Sequence, residues 1–70
     1  MELLRFYVDL RSYPLEQRLS LTDKLEQNAF IVHPFLDEIG LFEVFWDIPT
    51  PISKILEIPE SLVTTALNKN

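Results

Sequence analysis

The stretch "AFIVHPFLDEIGLFEVFWDI", residues 29–48, decides the fold class of this chain. Two runs rich in aromatic and β-branched residues flank four residues that end in the only glycine, Gly40. This pattern is typical of a β-hairpin. A helix over residues 35–47 is the alternative, because nearly every position there is apolar, but the aromatic and β-branched content favours strands. Since Pro34 has no N–H to donate, the first strand should lie at a sheet edge or end there.

The register of this hairpin determines which side chains share a face. If the loop is residues 37–40, Leu36 faces Leu41, and a slip of one residue would exchange the faces. One face then carries Ile31, His33, Phe35, Phe42, Val44, Trp46 and Ile48, and the other carries Phe30, Val32, Leu36, Leu41 and Phe45, with Glu43 and Asp47 among them. Both faces are largely apolar, so we expect helices to cover one, and the C-terminal tail, a second copy or a partner to cover the other.

Residues 1–28 predict a strand followed by a helix. "MELLRFYVDL" alternates between apolar and polar positions, as a half-buried strand does. In "RSYPLEQRLSLTDKLEQN", Pro14 fits the first turn of a helix, Ser12 is a candidate cap and Asn28 a candidate terminator. A capping signal at Ser20–Asp23 leaves open a break within the helix. Its predicted buried stripe is Leu15, Leu19, Thr22 and Leu25.

The C-terminal stretch "ISKILEIPESLVTTALNKN", residues 52–70, divides at Pro59 into two short helical pieces. The whole chain is therefore predicted to be a single small α+β domain over residues 1–70: strand, helix, a strand–strand hairpin, then a short C-terminal helical tail. The residues predicted to form its core are Leu4, Phe6, Val8, Leu15, Leu19, Leu25, Trp46 and Val63.

Composition and charge limit the classes of function. The net charge is −5 and there is no cysteine, so neither disulfides nor zinc–thiolate sites can support the fold. Apolar runs are too short to span a membrane, and no basic-then-apolar segment suggests a secretory signal. We expect a cytoplasmic protein. Between Lys24 and Lys54 the chain has no lysine or arginine, but five acids and five of its eight aromatics.

No motif indicates catalysis or a bound cofactor. His33 is the only histidine and has no aligned nucleophile or acid, so it is interpreted as a residue packed in or beside the core. The acids Asp37, Glu38, Glu43 and Asp47 lack the spacing of a calcium loop and are interpreted as a solvated rim rather than a metal site. The sequence therefore predicts a non-enzyme without cofactor or metal.

An acidic and aromatic stripe is the candidate binding surface. Glu43, Phe45 and Asp47 alternate on one strand and so project from one face, with Asp37 and Glu38 at the adjoining turn. A buried aromatic supplies affinity, while carboxylates steer and orient a partner. We expect a small acidic inhibitor, adaptor or regulator, of the kind that viruses and mobile elements encode. It would bind a protein with a basic groove and would form a homodimer or an obligate complex.

The alternative function rests on residues 52–70, which resemble the two-helix core of a helix-turn-helix. Ile52, Leu56, Ile58, Val63 and Leu67 fall where that family buries side chains, and "ESLVTTALN" stands at the recognition helix. The resemblance implies a DNA-binding transcriptional regulator. The segment departs from the family at Glu57, where the turn usually has glycine, and at Pro59. Because the segment is neutral and the rest of the chain acidic, it offers little to neutralise phosphates, which disfavours nucleic acid as the partner.

Overall fold

The hairpin predicted for residues 29–48 is present, and it joins a four-stranded antiparallel sheet. A computed structural model describes residues 3–65, with strands β1 (Leu4–Asp9), β2 (Ile31–Pro34), β3 (Leu41–Trp46) and β4 (Val63–Thr65). The sheet order is β2-β3-β1-β4, so β1 and β3 are central. Pro34 is the last residue of β2, an edge strand, as the sequence predicts.

Two helices complete the α+β class that the sequence predicts. Helix α1 (Leu15–Asn28) is unbroken through Ser20 and Asp23 and ends at the predicted terminator. Its N-cap is Pro14, with no side-chain capping hydrogen bond, so Ser12 is not the cap. Helix α2 (Ile52–Leu56) is short and is followed by a 3-10 turn at Glu60–Leu62. The resulting β-α-β-β-α-β order has the topology of ferredoxin-like domains. Within residues 3–65, no helix is long and apolar enough to cross a membrane.

The core lies between one face of the sheet and the two helices. Side chains alternate along β1 and β3, so Val8 from β1 and Val44 from β3 point to the same side, and both are fully buried. The residues that complete this core are Leu10, Leu25, Phe42, Trp46, Ile52, Leu56 and Ile58. The indole N–H of Trp46 donates to the Thr50 carbonyl at 2.9 Å, which satisfies the polar atom of a buried ring.

Of the predicted buried stripe of α1, Leu25 is buried and Thr22 is partly buried, but Leu15 and Leu19 are exposed. Leu15 and Leu19 are each 62% exposed, whereas Leu25 is fully buried and Leu21 packs against the core. Leu21, which was not part of the predicted stripe, therefore takes the place of Leu19 on the buried face of the helix. Of the other predicted core residues, Val8 and Trp46 are buried, Phe6 and Val63 are partly buried, and Leu4, at the start of β1, is 47% exposed.

The register predicted for the hairpin is off by one residue. His33 pairs with Glu43 and Ile31 with Phe45, while the Phe35 N–H donates to the Leu41 carbonyl. The loop is therefore residues 35–40 rather than 37–40. Gly40 closes it at φ +98°, a conformation that favours glycine, and an added Cβ would also lie only 3.1 Å from Cγ of Arg11. The slip places His33 and Ile31 on the face of Phe45.

The C-terminal segment is helical only over 52–56 and in the 3-10 turn at 60–62. Residues 63–65, predicted to be helical, form strand β4 and pair with Phe6, Tyr7 and Val8 of β1. Residues 66–70 lie outside the described residues. β-branched Val63, Thr64 and Thr65 fit an extended strand better than a helix, and an available edge of β1 lets them pair.

Glu57 ends α2 in the left-handed conformation, with φ 58° and ψ 48°. The next N–H, that of Ile58, donates to the Ser53 carbonyl at 3.0 Å, which is the six-to-one hydrogen bond of a Schellman motif. This motif normally has glycine at the left-handed position, so Glu57 is conformationally strained there.

Substituting two leucines of α1 distinguishes its buried face from its exposed face. Leu25→Ala should lower the free energy of unfolding by about 2–5 kcal/mol, because it leaves a cavity in the core. Leu19→Ala should change it by less than about 0.5 kcal/mol. Urea unfolding followed by circular dichroism measures both. Equal losses for the two variants would contradict the observed orientation of the helix.

Glu57→Gly should raise the free energy of unfolding by about 0.5–1 kcal/mol, since glycine adopts the left-handed conformation without strain. Lys54→Gly, within α2, is the control and should lower it by about 1 kcal/mol. Thermal unfolding of the two variants gives opposite shifts in Tm if the strain at Glu57 is real. A lower Tm for Glu57→Gly would show that the glutamate side chain contributes more than its strain costs.

Candidate functional site

The face of the sheet opposite the helices is the candidate site. No element within residues 3–65 packs against it. We call it the open face, and it is defined by Arg5, Tyr7, Asp9, Ile31, His33, Phe35, Leu41, Glu43, Phe45 and Thr64. Strand alternation determines this set. The strand neighbours of these residues point into the core, and residues paired across two strands point to the same face.

Aromatic rings form two contacts on the open face. Tyr7 of β1 meets Phe35 edge to face, with ring centroids 5.8 Å apart. His33 of β2 meets Phe45 of β3 in the same manner at 6.1 Å. Phe35 and Ile31 remain 37% and 38% exposed, and Tyr7 and Phe45 are half-buried by their neighbours alone. The rings are therefore held in place by one another and still offer apolar surface to a ligand.

Glu43 lies in the centre of this face, and its charge is compensated by Arg5 of the neighbouring strand β1. Its carboxylate is 3.3 Å from Nη1 of Arg5 and 3.5 Å from Nδ1 of His33. The side chains of Arg5 and Glu43 are 37% and 25% exposed, so the pair is partly shielded from water. The absence of lysine and arginine near Glu43 in sequence does not leave it uncompensated, because β1 brings Arg5 beside it.

At one end of the open face, Arg11 ties β1 to the loop between β2 and β3. Its guanidinium donates to both carboxylate oxygens of Asp9, at 2.9 and 3.0 Å, and to Glu38 at 2.7 Å. The Arg11 side chain, together with its backbone N–H, holds the pKa of Asp9 below its ordinary value. The contacts with Asp9, and then with Glu38, raise the pKa of Arg11. The loop is anchored here, beside the backbone bond from Leu10 to Gly40.

The five residues predicted to bind a partner are not all in one stripe. Glu43 and Phe45 do share the open face, as predicted. Asp47 follows the end of β3, and Asp37 and Glu38 are exposed in the loop, where Glu38 is already paired with Arg11. The structure therefore brings Glu43 and Phe45 together on one face, while Asp37, Glu38 and Asp47 lie outside the strands.

Several residues of the open face were missed by the sequence prediction. His33 was interpreted as packed in or beside the core, but it lies on the open face with its side chain 60% exposed. Phe45 faces away from the helices, since Val44 and Trp46 of the same strand face towards them. The alternation of β1 already placed Arg5 and Tyr7 away from the core, and this signal could have found them.

Neither catalysis nor DNA recognition gains a structural basis from the described residues. Within residues 3–65, no group of three or more His, Cys, Asp or Glu side chains is arranged to hold a metal ion. The recognition helix expected at "ESLVTTALN" is a 3-10 turn and a strand over residues 60–65, and the rest of that segment lies outside the described residues.

Comparison with known proteins adds no assignment: no family model, curated protein or solved structure matches the chain. The function is therefore argued from the geometry of the open face.

The contact between Asp9 and Arg11 should contribute stability that depends on pH. Because the pKa of Asp9 is lowered in the folded state, this stabilisation is present above the unfolded pKa, about 3.9, and is lost as the pH falls through the folded value. Asp9→Asn should thus be less stable than the wild type at pH 6.5, with the difference narrowing below about pH 4. Urea unfolding of both proteins across this pH range measures the difference in the free energy of unfolding.

Asp23→Asn, on the exposed side of α1, is the matched control and should differ little from the wild type at any pH. An Asp9→Asn difference that stays constant from pH 6.5 into the acid range would show that the charge of Asp9 is not what stabilises the loop.

Proposed function

We propose that this chain is a small, non-enzymatic, cytoplasmic protein that acts as an inhibitor, adaptor or regulator by binding another protein through its open face. The observation that carries this proposal is the set of half-exposed rings of Tyr7, Phe35 and Phe45 on a sheet face that no element within residues 3–65 covers. Contiguous apolar surface of this kind on a soluble protein marks an interaction site.

The chemistry of the open face suits a protein partner. Aromatic side chains on a rigid sheet lose little conformational entropy when they are covered, and they supply most of the affinity in protein interfaces. Beyond the rings, the exposed carboxylate of Asp37 in the loop and the partly buried carboxylate of Asp47 after β3 can meet cationic side chains at the rim. The preferred partner therefore has an apolar patch bordered by lysine or arginine.

A catalytic role has less support from the same geometry. His33 contacts Glu43 and Phe45, and the Glu43 carboxylate is engaged by Arg5, so these groups form a paired surface without an evident nucleophile. Recognition of duplex DNA is likewise not favoured, because the chain is acidic and its described C-terminal part does not form a recognition helix.

Substitutions on the open face should weaken partner binding while the fold is retained. Phe45→Ala removes the central ring, and Glu43→Lys with Asp47→Lys reverses the charge beside it. Each should weaken binding at least about tenfold, which corresponds to about 1.4 kcal/mol. The measurement is quantitative capture from the native cell with wild-type and variant proteins, followed by mass spectrometry and by titration of the recovered protein.

Matched controls lie on the exposed side of α1. Leu19→Ala removes an exposed apolar side chain, and Glu16→Lys with Asp23→Lys reverses two exposed carboxylates; both should bind as the wild type does. Circular dichroism should be unchanged for all four proteins. A partner that binds the open-face variants as tightly as the controls would exclude this face as the interface.

A further inference from the structure

The loop between β2 and β3 carries the two most exposed large apolar side chains of residues 3–65. Leu36 is 95% exposed and Ile39 is 77% exposed, against 62% for the exposed leucines of α1. Asp37 and Glu38 lie between them in the chain, and we call residues 36–39 the loop tip. Because large aliphatic side chains in water forgo the free energy of burial, covering these two would be favourable.

The fold does not require aliphatic side chains at the loop tip. The Leu41 N–H donates to the Glu38 carbonyl at 3.1 Å, which closes a turn with Ile39 and Gly40 at its centre. Gly40 has a positive φ and Ile39 does not, as in a type II turn, whose second residue is often proline. Neither Leu36 nor Ile39 packs against the core. Polar residues would suit the loop equally well, so the local structure gives no reason for these two aliphatic residues.

The backbone of the loop tip is held against β1 and the residues that follow it. The Leu10 N–H donates to the Gly40 carbonyl at 2.8 Å. Nη1 of Arg11 donates to Oε1 of Glu38 at 2.7 Å. A loop that is anchored in this way loses less conformational entropy when a partner binds it. The tip is therefore pre-organised, and its aliphatic side chains are available for contact.

The charge of the loop tip indicates the chemistry of its partner. Glu38 is paired with Arg11, whereas no ion pair within residues 3–65 includes Asp37, which is exposed. A cation beside Asp37 would orient the tip, while its aliphatic neighbours need an apolar surface. A lipid surface suits the tip less well, because anionic head groups repel Asp37 and a chain whose net charge is −5.

We infer that Leu36 and Ile39 insert into an apolar pocket of a partner protein, next to a lysine or arginine that pairs with Asp37. This inference rests on the proposed function, because it names a second contact with the same partner. Phe35 connects the two surfaces, since it begins the loop and its ring centroid lies 5.8 Å from that of Tyr7 on the open face. The partner should therefore have a pocket that opens beside a flatter apolar surface.

Photo-crosslinking in the native cell identifies what the loop tip contacts. A benzophenone amino acid at position 39 should label a protein that the same amino acid at position 19, on the exposed side of α1, does not label. Mass spectrometry identifies that protein and the labelled peptide, which should contain apolar residues with a lysine or arginine among them. The same adduct from both positions, or no adduct from position 39, would overturn the inference.

Titration of the purified captured protein measures the contribution of the aliphatic side chains. Leu36→Ala with Ile39→Ala should raise the Kd at least about tenfold and leave the circular dichroism spectrum unchanged. Leu15→Ala with Leu19→Ala removes two exposed leucines of α1 and should leave the Kd as in the wild type. Equal effects of the two double variants would show that the tip has no specific role, which contradicts the inference.

Asp37→Lys tests for the cation in the partner. This variant should raise the Kd at least about tenfold at low ionic strength, and by less in high salt, because salt screens charge pairs. Glu16→Lys reverses an exposed carboxylate of α1 and is the matched control, with an unchanged Kd. If Asp37→Lys binds as tightly as the wild type, the partner has no cation at this place and the inference is wrong.

Co-sedimentation with vesicles of phosphatidylcholine and phosphatidylserine tests the lipid alternative. The protein should stay in the supernatant. Binding to these vesicles that Leu36→Ala with Ile39→Ala abolishes would assign the loop tip to a membrane surface instead of a protein pocket.

These outcomes separate the inference from the proposed function. If Phe45→Ala weakens binding of the captured protein and the loop-tip variants do not, the inference fails and the proposed function stands. If the loop-tip variants weaken binding and Phe45→Ala does not, the tip is the contact and binding through the open face is excluded.

Discussion

The antiparallel pairing of β1 with β3 is the contact on which the rest of the structure depends. It aligns Val8 with Phe42 and Phe6 with Val44, so two apolar rows lie side by side under the helices. The same pairing aligns Arg5 with Phe45 and Tyr7 with Glu43 on the opposite side. Because side chains alternate along a strand, the pairing that brings the core residues together also brings the residues of the open face together. The two described helices, of 14 and five residues, cover only one of the two faces of the sheet.

Charge compensation on the open face also follows from this pairing. Glu43 has no basic residue near it in sequence, and its cation, Arg5, comes from the neighbouring central strand. Asp9 and Glu38, separated by 29 positions in the chain, share the cation of Arg11 because Gly40 allows the loop to approach β1 closely. The acidic stripe expected from composition is therefore largely neutral where the aromatic rings are, and the remaining negative charge lies elsewhere. This separation makes the open face suited to apolar contact, and its rim suited to steering.

Sequence patterns predicted those parts of the fold that depend on local chemistry. The alternation of "LRFYVD", the end of α1 at Asn28 and the hairpin around Gly40 are confirmed. What failed depends on contacts between distant segments. The leucine spacing of α1 predicted a buried stripe through Leu15 and Leu19, whereas packing against the core buries Leu25 and partly buries Leu21. The hairpin register depends on whether Phe35 or Leu36 faces Leu41, and the local pattern does not distinguish these two apolar residues. For the candidate site, Glu43 and Phe45 were found from alternation within β3, but Tyr7, His33 and Phe35 join them only when the register and the strand order are known.

The central ion pair and the surrounding rings have different roles when the open face is covered. Covering the face removes water from Arg5 and Glu43, and a partly exposed pair becomes a buried one whose desolvation offsets much of its attraction. The pair therefore adds little net affinity, and the favourable free energy of binding must come from burying Tyr7, Phe35 and Phe45. Its effect is on selectivity. A partner that leaves either charge without a hydrogen-bonding group is penalised, while one that supplies a donor to the remaining carboxylate lone pairs is accepted.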